Sequence, residues 1–273
     1  MKNKEVTQHI VEWLKSYCET SSMKGFVVGV SGGIDSALTS TLCALTGKPV
    51  IVVNMPIHQM KAQFVLAVKH ISWLKKKFSN VSSYEVNLSD TFLQPEATLP
   101  KEIQDDDSMA NTRSRLRMVT LYTVSAHYKM LVAGTGNKVE DFGVGFFTKY
   151  GDGGVDLSPI ADLMKSEVYA LAAELGVIKD IQQAAPVDGL WSDNRTDEQQ
   201  IGATYAELER AMKHVNSKSQ VSSPIPIAIG TKGNSPKLTA REKGVIEIYE
   251  KFHGMNEHKM KPVPVCIIPK KFK

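Results

Sequence analysis

The sequence predicts an α/β fold in which a doubly wound, mostly parallel sheet lies between layers of helices as a three-layer sandwich. Short apolar runs alternate with longer helical patterns along the first half of the chain. The first of these runs is rich in valine, as in a strand that is buried on both faces. Parallel strands joined through helices wind right-handedly, so helices are expected on both faces of the sheet.

The predicted elements follow one another in a regular order. Strands are expected near 27–30 and at 50–55, 83–88 and 130–133, and helices at 4–20, 36–45, 58–78, from Ser108 onward, 205–212 and 240–252. The aromatic residues of the first helix are expected in the core. Residues 91–107 lose the helical pattern and are expected to form a surface loop with a short helix at most. Residues 186–197 and 216–237 are expected to be flexible, the second as a candidate lid.

Composition limits the class of protein. A chain of 273 residues with 42% hydrophobic content can fill one core, and we expect a single domain over residues 1–273. The net charge of +4 comes from 33 basic and 29 acidic residues that are mostly interspersed, which does not indicate a nucleic-acid partner. Three scattered cysteines provide neither a disulfide framework nor a zinc site. With no signal-like or membrane-spanning segment recognised, a cytoplasmic protein without a membrane partner is expected.

A glycine-rich stretch, residues 25–36, joins the first predicted strand to the next helix. Its two adjacent glycines allow a tight turn and a close approach of the backbone to a bulky anion. The amide groups and the dipole at the start of the helix would face a ligand above the turn. Ser31 and Ser36 add hydroxyl donors, and Asp35 supplies a carboxylate for a divalent cation that bridges to phosphate oxygens. The stretch therefore predicts a phosphate site.

Four other interpretations of this turn were weighed. A Walker P-loop would need a Gly-Lys-Ser/Thr sequence, which occurs nowhere in the chain. A Rossmann fingerprint would need Gly-x-Gly-x-x-Gly and an acidic residue where the second strand ends, at Asn54-Met55-Pro56. Residues 29–33 match the Gly-x-Ser-x-Gly nucleophile elbow, but at the first predicted strand and without a role for Asp35. The fourth interpretation is a turn that binds no ligand.

The loop Ser31-Gly32-Gly33-Ile34-Asp35-Ser36 resembles the Ser-Gly-Gly-x-Asp-Ser loop of the ATP pyrophosphatases, which adenylate a substrate and release pyrophosphate. That group includes synthetases of NAD, GMP, asparagine and argininosuccinate, and enzymes that thiolate tRNA. The resemblance implies that the predicted sandwich is of the adenine nucleotide alpha hydrolase-like type. This loop indicates the chemistry and leaves the substrate open.

A second glycine-rich region, residues 134–156, follows the fourth predicted strand and reads GTGNKVE and then GFFTKYGDGGVD. A loop of about twenty residues in a compact domain is uncommon unless it serves a site. Its aromatic rings can stack on a ligand ring while the charged groups select the substituents of that ring. The region closely resembles ammonia-dependent NAD synthetases. The resemblance extends over 159–165, is looser around 193–198 and returns at 257–259.

The resemblance implies a set of site residues. The positions that match ATP-binding residues are Gly29, Val30, Ser31, Gly32, Gly33, Ile34, Asp35, Ser36, Thr135, Lys165 and Val187. The positions that match binding residues for deamido-NAD are Arg115, Lys149, Asp156, His258 and Lys259. Asp35 and Glu140 match ligands of Mg²⁺.

The implied reaction is the amidation of deamido-NAD. Its nicotinate carboxylate would attack the α-phosphorus of ATP, and ammonia would then displace AMP from the mixed anhydride. Aligned amide groups, Lys165 and magnesium would stabilise the departing pyrophosphate, so no side-chain nucleophile is required. The family also implies a homodimer with the substrate site across its interface. The matched region leaves no room for the amidase domain that glutamine-dependent relatives carry.

The chain departs from the family pattern at four places. Val187 stands where many members have threonine, and Asn54 where many have arginine. Gly136 stands where some members have aspartate, and the spacing from Glu140 to Phe146 is one residue longer than in those members.

Two other functions stay open at this point. One is a different ATP pyrophosphatase, such as a tRNA-thiolating enzyme, although the spacing of Cys18, Cys43 and Cys266 does not offer the paired cysteines that many of those enzymes need. The other is a non-catalytic protein that uses the same loop to bind a nucleotide.

Overall fold

The computed structural model describes residues 1–58, 61–186, 196–221 and 238–273. Within these ranges a parallel sheet is formed by four strands: β1 (Phe26–Gly29), β2 (Val50–Asn54), β3 (Val81–Glu85) and β4 (Leu131–Val132). Their order across the sheet is β3-β2-β1-β4, and Phe26 of β1 pairs with Val50 on one side and with Leu131 on the other. A parallel bridge between Ala133 and Leu157 extends the β4 edge.

Helices connect and cover the strands. In chain order they are α1 (Asn3–Thr20), α2 (Ile34–Leu45), α3 (Lys61–Lys77), α4 (Ser89–Thr98), α5 (Asp106–Tyr128), α6 (Lys165–Glu174), α7 (Lys179–Gln182), α8 (Asp197–Ile201), α9 (Tyr205–Val221) and α10 (Ala240–Met260). Single 3-10 turns form at Lys101–Ile103 and Lys270–Phe272, and Val139–Val144 forms a π-helix. None of the helices in the described ranges has the length and apolar composition of a membrane span.

The core is arranged in layers on the two faces of the sheet. Because side chains alternate along a strand, Val28 of β1 packs with residues of α1, α2 and α6, including Leu14, Leu38 and Leu171. Val27 points to the other face, in a cluster with Phe92 of α4. The predicted three-layer α/β sandwich is confirmed.

A third apolar cluster lies beyond the carboxyl end of β4. The π-helix contributes Val139 and Val144, which pack with Leu208 of α9 and with Val245 and Tyr249 of α10. This packing fixes the segment that follows β4 against the late helices.

The strand order places a topological switch point between β1 and β4. From β1 the chain continues through β2 to β3 on one side, whereas β4 pairs with the opposite side of β1. The loops that leave the carboxyl ends of β1 and β4 therefore face each other across a crevice, which is where open α/β sheets bind their ligands.

Three local predictions were wrong. Residues 91–107 contain most of α4 and a 3-10 turn, because Phe92 is fully buried and anchors α4 to the sheet, although Pro95 interrupts the helical pattern. The edge strand β3 begins two residues before its predicted start and faces solvent with much of its length. The third wrong prediction placed the aromatic residues of α1 in the core, whereas the buried stripe of this helix is formed by Ile10, Leu14 and Cys18.

The aromatic residues of α1 lie at the margin of that stripe. Trp13 and Tyr17 are 40% and 39% exposed and pair with each other at 5.7 Å between ring centroids. Helix α9 continues to Val221, so the beginning of the predicted flexible stretch 216–237 is helical. The rest of that stretch from residue 222, and residues 187–195 of the stretch 186–197, lie outside the described residues.

Candidate active site

A cavity of about 250 Å³ opens at the switch point between β1 and β4. It is lined by ten of the residues that the sequence singles out: Gly29, Val30, Ser31, Gly33, Ile34, Asp35, Ser36, Thr135, Glu140 and Lys165. Gly32 does not line it, because a side chain at this position would meet the backbone of α3 at Gln63. Val187 lies outside the described residues.

The β1–α2 loop is held in shape by its two serines. The Ser36 hydroxyl donates to the Gly33 carbonyl at 3.0 Å, and the Ser31 amide donates to the Ser36 hydroxyl at 3.2 Å. Gly32 has a φ of +93°, a left-handed conformation that favours glycine. Helix α2 begins with Gly33 as its N-cap and with no side-chain hydrogen bond from that cap. Its first amide groups can therefore serve an anion.

A buried lysine joins the two sides of the crevice. Lys165 is only 3% exposed, and its Nζ donates to Oδ2 of Asp35 at 2.6 Å and to Oε1 of Glu140 at 3.0 Å. As the first residue of α6, Lys165 places a cation at the positive end of a helix dipole. The two carboxylates offset that unfavourable position.

Further donors complete the cluster. Asn137 donates from Nδ2 to Oδ1 of Asp35 at 3.0 Å, and the Tyr205 hydroxyl donates to Oε1 of Glu140 at 2.5 Å. The same hydroxyl lies 3.1 Å from Oδ2 of Asp197. The carboxylates that follow β1 and β4 are thus part of one buried hydrogen-bond network.

Burial and charge act in opposite directions on this network. Burial is the largest influence on Asp35 and raises its pKa, and the attraction of Lys165 offsets only part of the effect. For Glu140 burial also opposes ionisation, but Lys165, Tyr205 and Asn137 together outweigh it and lower the pKa. Burial disfavours the charged form of Lys165, yet both carboxylates raise its pKa, which keeps the side chain cationic.

A π-helix presents Glu140 to the cavity. Val139–Val144 has six residues, and the Asn137 side chain accepts hydrogen bonds from the amides of Val139 and Glu140. The turn ends at Gly145 with a φ of +64°, and the Phe146 amide donates to the Glu140 carbonyl. π-helices of this kind occur often at functional sites.

The carboxylates of the cavity are suited to Mg²⁺. This ion is bound by one or two carboxylates together with water and substrate phosphates. Asp35 and Glu140 supply two carboxylates that share one cation. Within the described residues no group of three or more His, Cys, Asp or Glu side chains could hold a metal ion by itself. The residues therefore fit an ion that arrives with phosphate ligands.

Four of the predicted substrate-binding residues come together beside the cavity. Lys149 donates from Nζ to the His258 carbonyl at 3.0 Å, and Arg115 donates to the Lys149 carbonyl at 3.4 Å. Lys259 donates to the Phe147 carbonyl at 2.7 Å, and burial lowers its pKa.

Asp156 lies apart from these four side chains. Its carboxylate accepts hydrogen bonds from the Tyr122 hydroxyl at 3.0 Å and from the Val132 amide at 2.8 Å. Neither Asp156 nor any of the other four lines the cavity.

Several site residues were missed by the sequence analysis. Asn137, Asp141 and Asp152 stand within the second glycine-rich region, but nothing in their spacing distinguishes them there. Tyr205 begins a predicted helix and reaches the site only because α9 packs against the π-helix. Its hydrogen bond to Glu140 joins residues that are 65 positions apart. A local sequence pattern does not predict contacts between residues so far apart in the chain.

The geometry agrees with comparisons to known proteins. A sequence profile described as NAD synthase matches residues 6–262. The chain belongs to the NAD synthase family. Among curated relatives, the NH(3)-dependent NAD(+) synthetase of Alkaliphilus metalliredigens is 34% identical over 94% of this chain and 96% of its own. The protein of that name from Carboxydothermus hydrogenoformans is 35% identical over 81% of this chain and 96% of its own.

Solved structures extend the family resemblance to the whole fold. NMN synthetase from Francisella tularensis superposes with a TM-score of 0.81 at 30% identity and covers 99% of both chains. NH3-dependent NAD synthetase from Campylobacter jejuni superposes with a TM-score of 0.75 at 24% identity, over 98% of this chain and 100% of its own. Both comparisons support the fold.

Proposed function

We propose that this family member catalyses the ATP-dependent amidation of deamido-NAD by ammonia, giving NAD, AMP and pyrophosphate through an adenylate. The observation that carries the proposal is the convergence of the β1–α2 loop, Asp35, Glu140 and Lys165 on one cavity. Full-length relatives named NH(3)-dependent NAD(+) synthetase support it.

ATP would bind with its phosphates over the β1–α2 loop. The amide groups at the start of α2 and the Ser31 hydroxyl are donors for phosphate oxygens, whereas the Ser36 hydroxyl donates to the Gly33 carbonyl and shapes the loop. Lys165 is fixed at the same site and can stabilise the charge that develops on pyrophosphate without reorganising. This buried cation would have the role that the lysine of the Walker P-loop has in other nucleotide-binding proteins.

Magnesium would bind at Asp35 and Glu140 together with phosphate oxygens. When bound, the ion supplies charge neutralisation to the leaving pyrophosphate. The remaining protein groups orient these ligands: Asn137 holds Asp35, and Tyr205 holds Glu140. Hydrogen bonds of this kind fix the orientation of a carboxylate toward the metal that it binds.

The acid substrate would extend past the cavity toward Arg115, Lys149, His258 and Lys259. We also propose a homodimer, as the resemblance to the family implies. The buried thiols of Cys18 and Cys43 suit a cytoplasmic protein.

A second candidate substrate is the mononucleotide with the same nicotinate carboxylate. The neighbour named NMN synthetase is 30% identical and covers 99% of this chain, which favours this candidate. Both substrates present the same carboxylate to ATP, so the adenylation site would be unchanged. They differ in whether an AMP moiety continues from the mononucleotide toward the outer basic residues.

One experiment separates these candidates. Purified protein is given ATP, Mg²⁺, ammonium and either deamido-NAD or nicotinate mononucleotide, and the nucleotide products are separated by chromatography. We expect NAD and AMP in equal amounts, with a higher kcat/KM for deamido-NAD. A higher kcat/KM for the mononucleotide would assign the second substrate. If no AMP forms in the presence of either acid, both candidates are refuted.

A further inference from the structure

A buried carboxylate on α9 holds the first turn of α6. Glu209 is 7% exposed, and its two carboxylate oxygens accept hydrogen bonds from the amide and the hydroxyl of Ser166, both at 2.8 Å. Ser166 directly follows Lys165, the buried cation of the site. The N-cap of α6 is Met164, whose side chain accepts no hydrogen bond from the helix. Glu209 therefore serves as a cap that comes from another helix.

The charge of Glu209 suits this position. The first turn of a helix carries a partial positive charge, so a carboxylate beside it is favourable and the cation of Lys165 is not. Hydrogen bonds to a carboxylate are also stronger than those between neutral groups. Glu209 therefore offsets part of the cost of placing Lys165 at the start of α6.

The same helix also contacts the far end of the Lys165 side chain. Tyr205 lies four residues before Glu209 on α9, so the two side chains are on one face of the helix. The centroid of the Tyr205 ring lies 4.4 Å from Nζ of Lys165, which is a cation–π contact. One face of α9 thus contacts both the ammonium group of Lys165 and the backbone beside it.

Lys165 needs this support because a lysine side chain is flexible. Its Nζ is bonded to Asp35 and Glu140, but this is the same atom that must turn toward phosphate oxygens. The contact between Glu209 and Ser166 does not involve Nζ, so a phosphate ligand does not compete with it. A charged group stabilises a transition state most when it needs no reorganisation.

We propose that Glu209 is a positioning residue for Lys165, a role that rests on the proposed function. It fixes the start of α6 so that the ammonium group reaches the pyrophosphate leaving group. Negative charge on this group is greatest in the transition state, so the loss of Glu209 should lower the rate of adenylation more than the affinity for ATP. The effect should also require Lys165.

The first test measures pyrophosphate formation in a single turnover with saturating acid substrate. For Glu209→Ala we expect the maximal rate to fall about tenfold, while the ATP concentration for half of that rate stays within about twofold of wild type. Glu207→Ala is the matched control. Glu207 lies on the same helix, accepts from the Thr204 amide at 2.9 Å and pairs with Arg241 at 2.7 Å. Its maximal rate should stay within about twofold of wild type.

The second test combines Glu209→Ala with Lys165→Met. If Glu209 acts through Lys165, the added substitution should lower the rate of Lys165→Met by less than about twofold. A residue that only maintains the fold would lower the rate about tenfold in both backgrounds.

A milder variant keeps the test decisive if Glu209→Ala does not fold, which near-ultraviolet circular dichroism would show. In Glu209→Gln the amide oxygen still accepts from the Ser166 backbone. We expect its rate to fall about fourfold in the wild-type background and by less than about twofold in the Lys165→Met background.

The outcomes separate the two levels of inference. If the wild-type protein releases no pyrophosphate from ATP with either acid substrate, the proposed function fails, and the role of Glu209 with it. If the wild type is active and Glu209→Ala is as fast as Glu207→Ala, only the assignment of Glu209 is overturned. Equal losses with and without Lys165→Met also overturn that assignment alone.

Discussion

Nζ of Lys165 lies 2.6 Å from Oδ2 of Asp35, although 130 residues separate them in the chain. Asp35 belongs to the first turn of α2, after β1, and Lys165 is the first residue of α6. The contact joins the β1–α2 loop to the segment that follows β4. It places the buried cation of the site where the two halves of the sheet meet.

Lys165→Met should greatly reduce activity. The substitution removes the charge that stabilises pyrophosphate, and we expect kcat/KM for ATP to fall about 100-fold. It also leaves Asp35 and Glu140 buried without their cation, at a cost of about 3 kcal/mol in the free energy of unfolding. Pyrophosphate release and urea unfolding measure the two effects. Lys69→Met is the control, since Lys69 forms an exposed pair with Asp180, and activity equal to that control would contradict the role of Lys165.

Asp35→Asn should weaken the response to magnesium. The amide retains the shape of the side chain but is a weaker ligand, so the Mg²⁺ concentration for half-maximal rate should rise about tenfold. A magnesium titration at fixed ATP measures this shift. Asp180→Asn changes an exposed carboxylate on α7 and should leave the titration unchanged. Superimposable titrations for both variants and wild type would remove Asp35 from the metal site.

Tyr205→Phe should move the acid limb of the pH profile. The Tyr205 hydroxyl stabilises the ionised form of Glu140, so its loss raises the pKa of that carboxyl. The acid limb of kcat/KM should therefore shift to higher pH, with about a tenfold loss of rate below it. Tyr249→Phe is a matched control on α10, where the buried ring packs in the same cluster. A pH profile identical to wild type would show that Glu140 does not depend on this hydroxyl.

His70 should make the fold sensitive to mild acid. The side chain is fully buried on α3, with Nε2 3.0 Å from the Ser40 hydroxyl and the ring stacked on Trp73. Burial lowers the pKa of His70 to about 4 from 6.5. Between these values the unfolded chain binds a proton that the folded chain does not, so stability falls as the pH falls.

Urea unfolding at pH 7.5 and pH 5 measures this effect. His70 should account for a loss of roughly 2 kcal/mol over that interval. The His70→Gln variant should lose correspondingly less stability on acidification, even if it is less stable at pH 7.5. An equal loss in both proteins would contradict the buried neutral state of His70.

The sequence predicted the layers of the fold better than their edges. The valine runs of β1 and β2 are buried on both faces and were recognised, whereas β3 is an exposed edge strand with a weak pattern. Helix α4 was missed because a single buried aromatic residue, Phe92, secures it where Pro95 breaks the local pattern.

The residues of the candidate site that belong to short sequence motifs could be predicted from the sequence. Asp35 belongs to a six-residue loop, and Glu140 and Lys165 follow within matched stretches. Tyr205 and Asp141 could not be assigned, because their positions depend on packing of α9 and on the wide π-turn. Both positions result from the folded structure, and the periodicity of hydrophobic residues along the sequence does not predict them.

The most direct test of the account follows oxygen from the acid substrate. Deamido-NAD labelled with ¹⁸O in its nicotinate carboxylate is converted with ATP and ammonium, and the phosphate products are examined by mass spectrometry. Attack on the α-phosphorus predicts one labelled oxygen in AMP and none in pyrophosphate, since the C–O bond to the carboxylate oxygen breaks when ammonia enters. Unlabelled AMP, or label in orthophosphate accompanied by ADP, would contradict the adenylate mechanism proposed for this site.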